Sequence, residues 1–196
     1  MIHMHVPHHP QRQEGARFDV GNSPRILEEL FRGKDWVVTL EEGTLPSGAV
    51  SRTEIAATWD TSYIIAINEK SEVLILREYR VFSGTFVRKL PTGKIRKGED
   101  PLAVARRELR EETGFDASSI HLLWSGQPSQ RQKAIDYFFL AEGLTPAPLP
   151  PDEDELMEIH FQPIDQGINT LLASQIVHTP SAYALMRFAR EGHAKQ

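Results

Sequence analysis

The sequence predicts an α/β protein, helices packed on a mixed β-sheet. Three observations carry the prediction. Strand-like runs alternate with helix-like ones along the chain, as layered α/β domains require. One helix near the middle has both a start and a stop signal. The chain has 196 residues, 40% hydrophobic and 25% charged, the composition of an ordinary globular protein with room for one domain and a substantial core.

In chain order, residues 1–20 read as a tail outside the fold. They hold His3, His5, His8 and His9 in a stretch without apolar periodicity to fix a site. SPRILEELFRG reads as a short helix with Ser23 as cap, Pro24 at its first position and Gly33 past its end. The runs WVVTLEE, SRTEIAATWD, SYIIAINE and EVLILREYR read as strands, the last two as a hairpin across NEKSE. FVRKLP is a further short strand, and KIRKGED is a loop whose Asp100 caps a helix with Pro101 at its first position. Within that helix Leu102, Ala105 and Leu109 predict the buried stripe. Strands HLLWSG, AIDYFFLAEG and MEIHFQP follow, with the proline-rich LTPAPLPPDEDE before the last, and two helices close the chain within IDQGINTLLASQ and PSAYALMRFARE.

A net charge of -5 argues against nucleic acid or an acidic membrane as partner, since either favours clustered Lys and Arg. The absence of cysteine excludes a disulfide framework, thiol catalysis and cysteine-ligated zinc. No apolar run is long enough to span a bilayer, and the expected location is the cytoplasm.

One stretch breaks a local rule. RRELREETGF, residues 106–115, ends a helix at Gly114 with Glu108, Glu111 and Glu112 in its last turns. Helix C-termini carry partial negative charge, so acids there are unfavourable by roughly 0.3–1 kcal/mol each. Three carboxylates so close require full solvation, raised pKa values or a bound cation. Oxygen-only ligands suit a hard cation, Mg²⁺ or Mn²⁺. On repulsion alone, neutralising Glu112 is expected to leave the fold intact or slightly more stable.

Five residues separate Gly93 from Glu99, and seven more lead to Arg107-Glu108-Leu109-Arg110-Glu111-Glu112-Thr113-Gly114-Phe115. This run resembles the Nudix box at every charged and glycine position, with Phe115 where the family usually has an aliphatic residue. The resemblance implies the Nudix fold, an α/β/α sandwich with a mixed β-sheet. It implies cleavage of a nucleoside diphosphate linked to another moiety, with Glu108, Glu112 and the Thr92 carbonyl as metal ligands and Glu111 as a further ligand or catalytic group. Gly93 permits a tight turn against the site, and Glu99 is placed to pair with Arg107 and lock the loop.

VLILREYRVFSGTFVRKLPTG resembles the segment before the box in ADP-ribose and nucleoside-diphosphate-sugar pyrophosphatases, which makes Arg80 a phosphate contact. The acidic loop in PDEDELMEIHF matches that subgroup, with Glu153 as general base and Glu155 as metal ligand. After the box the subgroup has a Ser-Pro-Gly turn and a glutamate. Here SGQPSQRQKAI keeps Pro128 and adds Arg131 and Lys133, a basic loop suited to a more anionic substrate or another sugar nucleotide, such as GDP-mannose or a UDP-sugar. The subgroup also places extra antiparallel strands ahead of its core as a dimer interface. Residues 21–58 are assigned to that role, with residues 59–196 as the hydrolase domain. A non-catalytic sensor of sugar nucleotides is the competing reading, and such domains typically lose box carboxylates that this chain keeps.

Overall fold

A computed structural model describes residues 24–149 and 156–192. Its first sheet contains β1 (Arg25–Arg32), β2 (Val37–Thr44) and β3 (Val50–Ala57), all antiparallel, extended by the two-residue β9 (Gln132–Lys133), parallel to β3. The second sheet is built from β4 (Asp60–Ile67), β5 (Glu72–Arg80), β6 (Thr85–Lys89), β7 (Thr92–Ile95), β8 (Phe115–Gly126), β10 (Asp136–Pro146) and β11 (Met157–Pro163). Its main path runs β11-β5-β4-β10-β8, with β6 on β5 and β7 on β4, and the β4–β10 pair is parallel. The sheet is therefore mixed.

Helices cover both of its faces. Ile64 and Ala66 of β4 pack with Leu74 and Leu76 of β5 against Ala105 and Leu109 of α1 (Pro101–Thr113). The alternate residues, Tyr63, Ile65, Val73 and Ile75, face α2 (Ile164–Leu172) and α3 (Thr179–Arg190) through Leu171, Leu185 and Phe188. Burial on both faces is why β4 and β5 read as unbroken apolar runs. The α/β/α sandwich thus follows from which side each residue of the central strands takes.

Three local expectations are corrected. The segment read as a helix from Ser23 to Gly33 is β1, and Ser23 lies outside the described residues. Its residues pair with β2 from Arg25↔Glu42 to Arg32↔Val37, with register shifts at Ile26/Glu28 and Glu29/Phe31. A partner strand outweighs a helix propensity worth only tenths of a kcal/mol per residue. The loop expected after FVRKLP contains β7, and β8 starts at Phe115, directly behind α1. In α1 the buried stripe is Val104, Ala105, Leu109, Glu112 and Thr113, while Leu102 is exposed.

The β4–β5 hairpin turns where Asn68 Oδ1 accepts from the N–H groups of Lys70 and Glu72. The strands are paired at Ile67↔Val73 and then part. In the wedge between them, β7 pairs β4 from Asp60↔Ile95 to Tyr63↔Thr92, and β6 pairs β5 from Leu76↔Lys89 to Arg80↔Thr85. The candidate site opens from this wedge.

On β10, Asp136 is buried, and that burial together with the nearby Asp60 carboxylate pushes its pKa up to about 6. A carboxyl whose folded pKa exceeds its unfolded value imposes no penalty at low pH and a growing one as pH rises through the folded value. Asp136→Asn is therefore expected to stabilise the fold at pH 8 by on the order of 2 kcal/mol and to change little at pH 4. Urea denaturation at the two pH values checks this; an equal effect at both would exclude the titration as cause.

Candidate active site

Helix α1 starts where the Asp100 side chain accepts from the N–H groups of Leu102 and Ala103, and Pro101 needs no partner for a missing N–H. It stops at Gly114, whose φ of 74° is a left-handed conformation and whose N–H bonds the Arg110 carbonyl at 3.0 Å. With Ala105 and Leu109 against the sheet, Glu108, Glu111 and Glu112 line a cavity of about 550 Å³ beside β7.

Gly93 faces Glu108 directly. A Cβ at Gly93 would lie 2.1–2.4 Å from Glu108 Cγ, Cδ and Oε1, so only glycine lets this carboxylate sit against the strand backbone. Glu112 is almost fully buried and accepts from Lys89 Nζ at 2.7 Å and from the Thr92 N–H at 2.8 Å. Lys89 Nζ also lies 2.8 Å from Glu78 Oε2, which Arg80 Nη2 approaches to 3.0 Å. Arg107 Nη1 donates to Glu99 Oε1 at 3.0 Å and Nη2 to Glu108 Oε1 at 3.1 Å, while Nε stands 3.6 Å from Glu111 Oε2. Glu99 closes the loop by accepting the Arg96 N–H at 2.7 Å.

Burial sets the electrostatics. It pushes the Glu108 carboxyl above its usual range, with Arg107 pulling the other way. Burial also drags the Lys89 ammonium down, but the Glu112 and Glu78 carboxylates outweigh it and hold Lys89 above its ordinary value. Glu99, at the rim, is held low by the Arg96 N–H and by Arg107. Lys34, Arg80, Lys94 and Arg96 add positive charge around the cavity, giving it an acidic floor and a basic rim.

The donor set suits a hard cation. All its ligand atoms are oxygens, Gly93 leaves Glu108 a cradle, and Thr92 Oγ1 is buried without a hydrogen-bond partner. Among the described residues no three acidic or histidine side chains already converge on one point. Lys89 and the Thr92 N–H engage both oxygens of Glu112, which holds it back from such a cluster.

Of the residues predicted from sequence, Arg80, Thr92, Glu108, Glu111 and Glu112 meet at this cavity, with the Glu99–Arg107 pair beside it. Arg131 stands apart, its carbonyl accepting the Ala56 N–H of the first sheet. Lys133 of the same loop is paired with Glu41 of the first sheet. Glu153 and Glu155 lie outside the described residues. Sequence reasoning missed Lys89, Glu78 and His178. A lysine closing a short strand reads as solvent-facing, and a histidine before a Thr-Pro helix start carries no motif.

The fold and the carboxylate helix together define a family. The NUDIX domain matches residues 58–180, and the chain belongs to the Nudix family, as one of its hydrolases. It is 27% identical over 161 residues to the ADP-ribose pyrophosphatase of Bacillus subtilis (strain 168), covering 81% of this chain and 87% of that protein. It is 28% identical over 163 residues to the methanol dehydrogenase activator of Bacillus methanolicus, with the same coverage of 81% and 87%. The crystal structure of an ADP compounds hydrolase shares its fold at a TM-score of 0.71 and 23% identity, over 87% of this chain and 97% of that one.

Proposed function

We propose that the protein hydrolyses the pyrophosphate bond of a nucleoside diphosphate sugar, ADP-ribose or a similar compound, giving nucleoside monophosphate and sugar phosphate. The observation that carries this reading is a cavity with carboxylates on its floor and cations at its rim, the charge pattern for a pyrophosphate bound through a metal. The similarity to an ADP-ribose pyrophosphatase supports the choice of substrate. Glu108, Glu111 and Glu112, with the Thr92 carbonyl, would hold Mg²⁺ or Mn²⁺. An ion held there would supply charge neutralisation for phosphate oxygens and a lowered pKa for the attacking water. Arg80 holds a phosphate, Arg107 ties Glu108 and Glu111 to the loop, Glu153 takes the proton of the water and Glu155 adds a ligand from the acidic loop.

The first sheet carries exposed Ile26, Phe31 and Val50, which supports residues 21–58 as a homodimer surface. No described helix is long and apolar enough to cross a membrane. A small-molecule substrate and a cytoplasmic site of action complete the proposal.

His178 adds a substrate contact. Ser181 is fully buried, its Oγ accepts the Leu90 N–H, and the same hydroxyl holds His178 Nδ1 at 2.7 Å, which fixes the ring and leaves Nε2 as its other polar atom. Burial, then Lys89 and Arg80, push His178 down to about 4, so the ring is neutral at physiological pH. His178→Ala is expected to raise KM by about 2- to 10-fold with kcat nearly unchanged, the worth of one neutral hydrogen bond. A fall in kcat at constant KM would instead place the contact in the transition state.

The test of the function is release of nucleoside monophosphate from a panel of sugar nucleotides, with Mg²⁺ and with EDTA. Metal-dependent release from at least one compound is expected. No release from any would overturn the reading.

A further inference from the structure

We propose that Lys89 is a built-in cation that takes the place of one divalent ion in the carboxylate cluster, so that a side chain of this protein sets how many metals the site loads. The proposal rests on the metal reading above and deepens it. Lys89 comes from the last position of β6, Glu78 from β5 and Glu112 from α1, three elements meeting at the edge of the wedge. All three side chains are nearly inaccessible, at 3%, 4% and 5%. One ammonium nitrogen therefore stands between two buried carboxylates, 2.7 Å from one and 2.8 Å from the other. A cation shared by carboxylates from different elements is the position a bridging metal takes in an oxygen-ligand site.

The charges support the substitution. Without Lys89, Glu78 and Glu112 would be two buried anions, helped by Arg80 at the surface end and by one backbone N–H. Buried charge without a counter-charge is strongly disfavoured, so the cluster needs a cation at this point whether or not an ion is supplied. Lysine meets that need permanently. The Glu78 and Glu112 oxygens around its Nζ stand at hydrogen-bond distance, wider than the roughly 2.0–2.1 Å of Mg²⁺–oxygen contacts, so metal cannot share the position while Lys89 holds it. The free coordination capacity is left at Glu108 against Gly93, at Glu111, and on the Glu112 lone pairs that Lys89 and the Thr92 N–H do not take.

The neutral, similarly long Lys89→Met variant removes the charge and its N–H donors while keeping the length of the side chain. Bound Mn²⁺ per chain, counted by equilibrium dialysis with electron paramagnetic resonance, is expected to rise by one ion relative to wild type. The variant's melting temperature should fall in EDTA and recover in Mn²⁺ by a larger shift than wild type shows. Adding Glu78→Gln to Lys89→Met removes one of the two anions and should return the count to the wild-type number. Equal, non-zero counts for wild type and Lys89→Met would overturn the proposal. So would a Lys89→Met chain that does not fold even when prepared in Mn²⁺, because the ion would then have failed to replace the lysine. If neither protein binds Mn²⁺, the metal reading itself falls, and the proposal with it.

Discussion

Glu112→Gln is expected to lower turnover by about 10²–10³-fold, the loss that follows removal of one preorganised electrostatic group from an active site. It is also expected to destabilise the fold, against the sequence-based expectation of relieved repulsion. Repulsion from Glu108 does act on Glu112, but the carboxylate is buried against Lys89 Nζ at 2.7 Å and the Thr92 N–H at 2.8 Å. Removing one partner of a buried pair typically costs 3–5 kcal/mol. Here Lys89 keeps Glu78, and the glutamine carbonyl can still accept, so about 2–3 kcal/mol is expected. Urea denaturation and kcat at saturating Mg²⁺ check the two halves separately. Unchanged stability would mean that Glu112 repulsion and Lys89 attraction cancel; unchanged kcat would remove Glu112 from the metal site.

Gly93→Ala is expected to have a comparable effect on activity for a steric reason. The new methyl would occupy the space of the Glu108 Cγ and Cδ, and contacts at 2.1–2.2 Å cannot be absorbed without moving that side chain. Glu108 must leave its place against β7 and loosen from Arg107, so turnover should fall by about 10²-fold or more. Stability should fall by about 1–3 kcal/mol, the usual penalty of overpacking. A second substitution, Glu108→Ala, tests the cause. If steric conflict is the source, the stability loss from Gly93→Ala should largely vanish in the Glu108→Ala background, because the clashing atoms are gone.

Much of this site was legible in the sequence because its spacing is rigid. Glu108, Glu111 and Glu112 are placed by one helix whose ends are marked by Asp100, Pro101 and Gly114, and Glu99 reaches Arg107 across a loop of fixed length. What was not legible depends on distant segments. Lys89 and Glu78 meet only because β5 and β6 pair and α1 packs behind them, a contact no local pattern encodes. His178 reaches the cavity through α3, nearly ninety residues from the wedge it lines. The N-terminal segment failed for a related reason. The run ILEELF satisfies a helical period about as well as a strand, and only pairing with β2 decides it. The central strands raised no such ambiguity, because Tyr63 to Ala66 and Val73 to Leu76 are apolar on both faces and their length suits a strand covered on both sides.

The Thr92 amide offers a way to watch the site without substrate. Most amides at the ends of strands point to a neighbouring strand or to solvent, and their resonances report little beyond the fold. This one donates to the Glu112 carboxylate. Its nitrogen and proton chemical shifts, and its rate of exchange with deuterium, will therefore follow whatever that carboxylate does. A charge-assisted hydrogen bond of this kind draws the amide proton downfield and protects it, and both signals weaken when the acceptor turns toward another partner. In a ¹⁵N-labelled sample titrated with a diamagnetic ion such as Mg²⁺, this single cross-peak separates loading that displaces Glu112 from loading that leaves it in place.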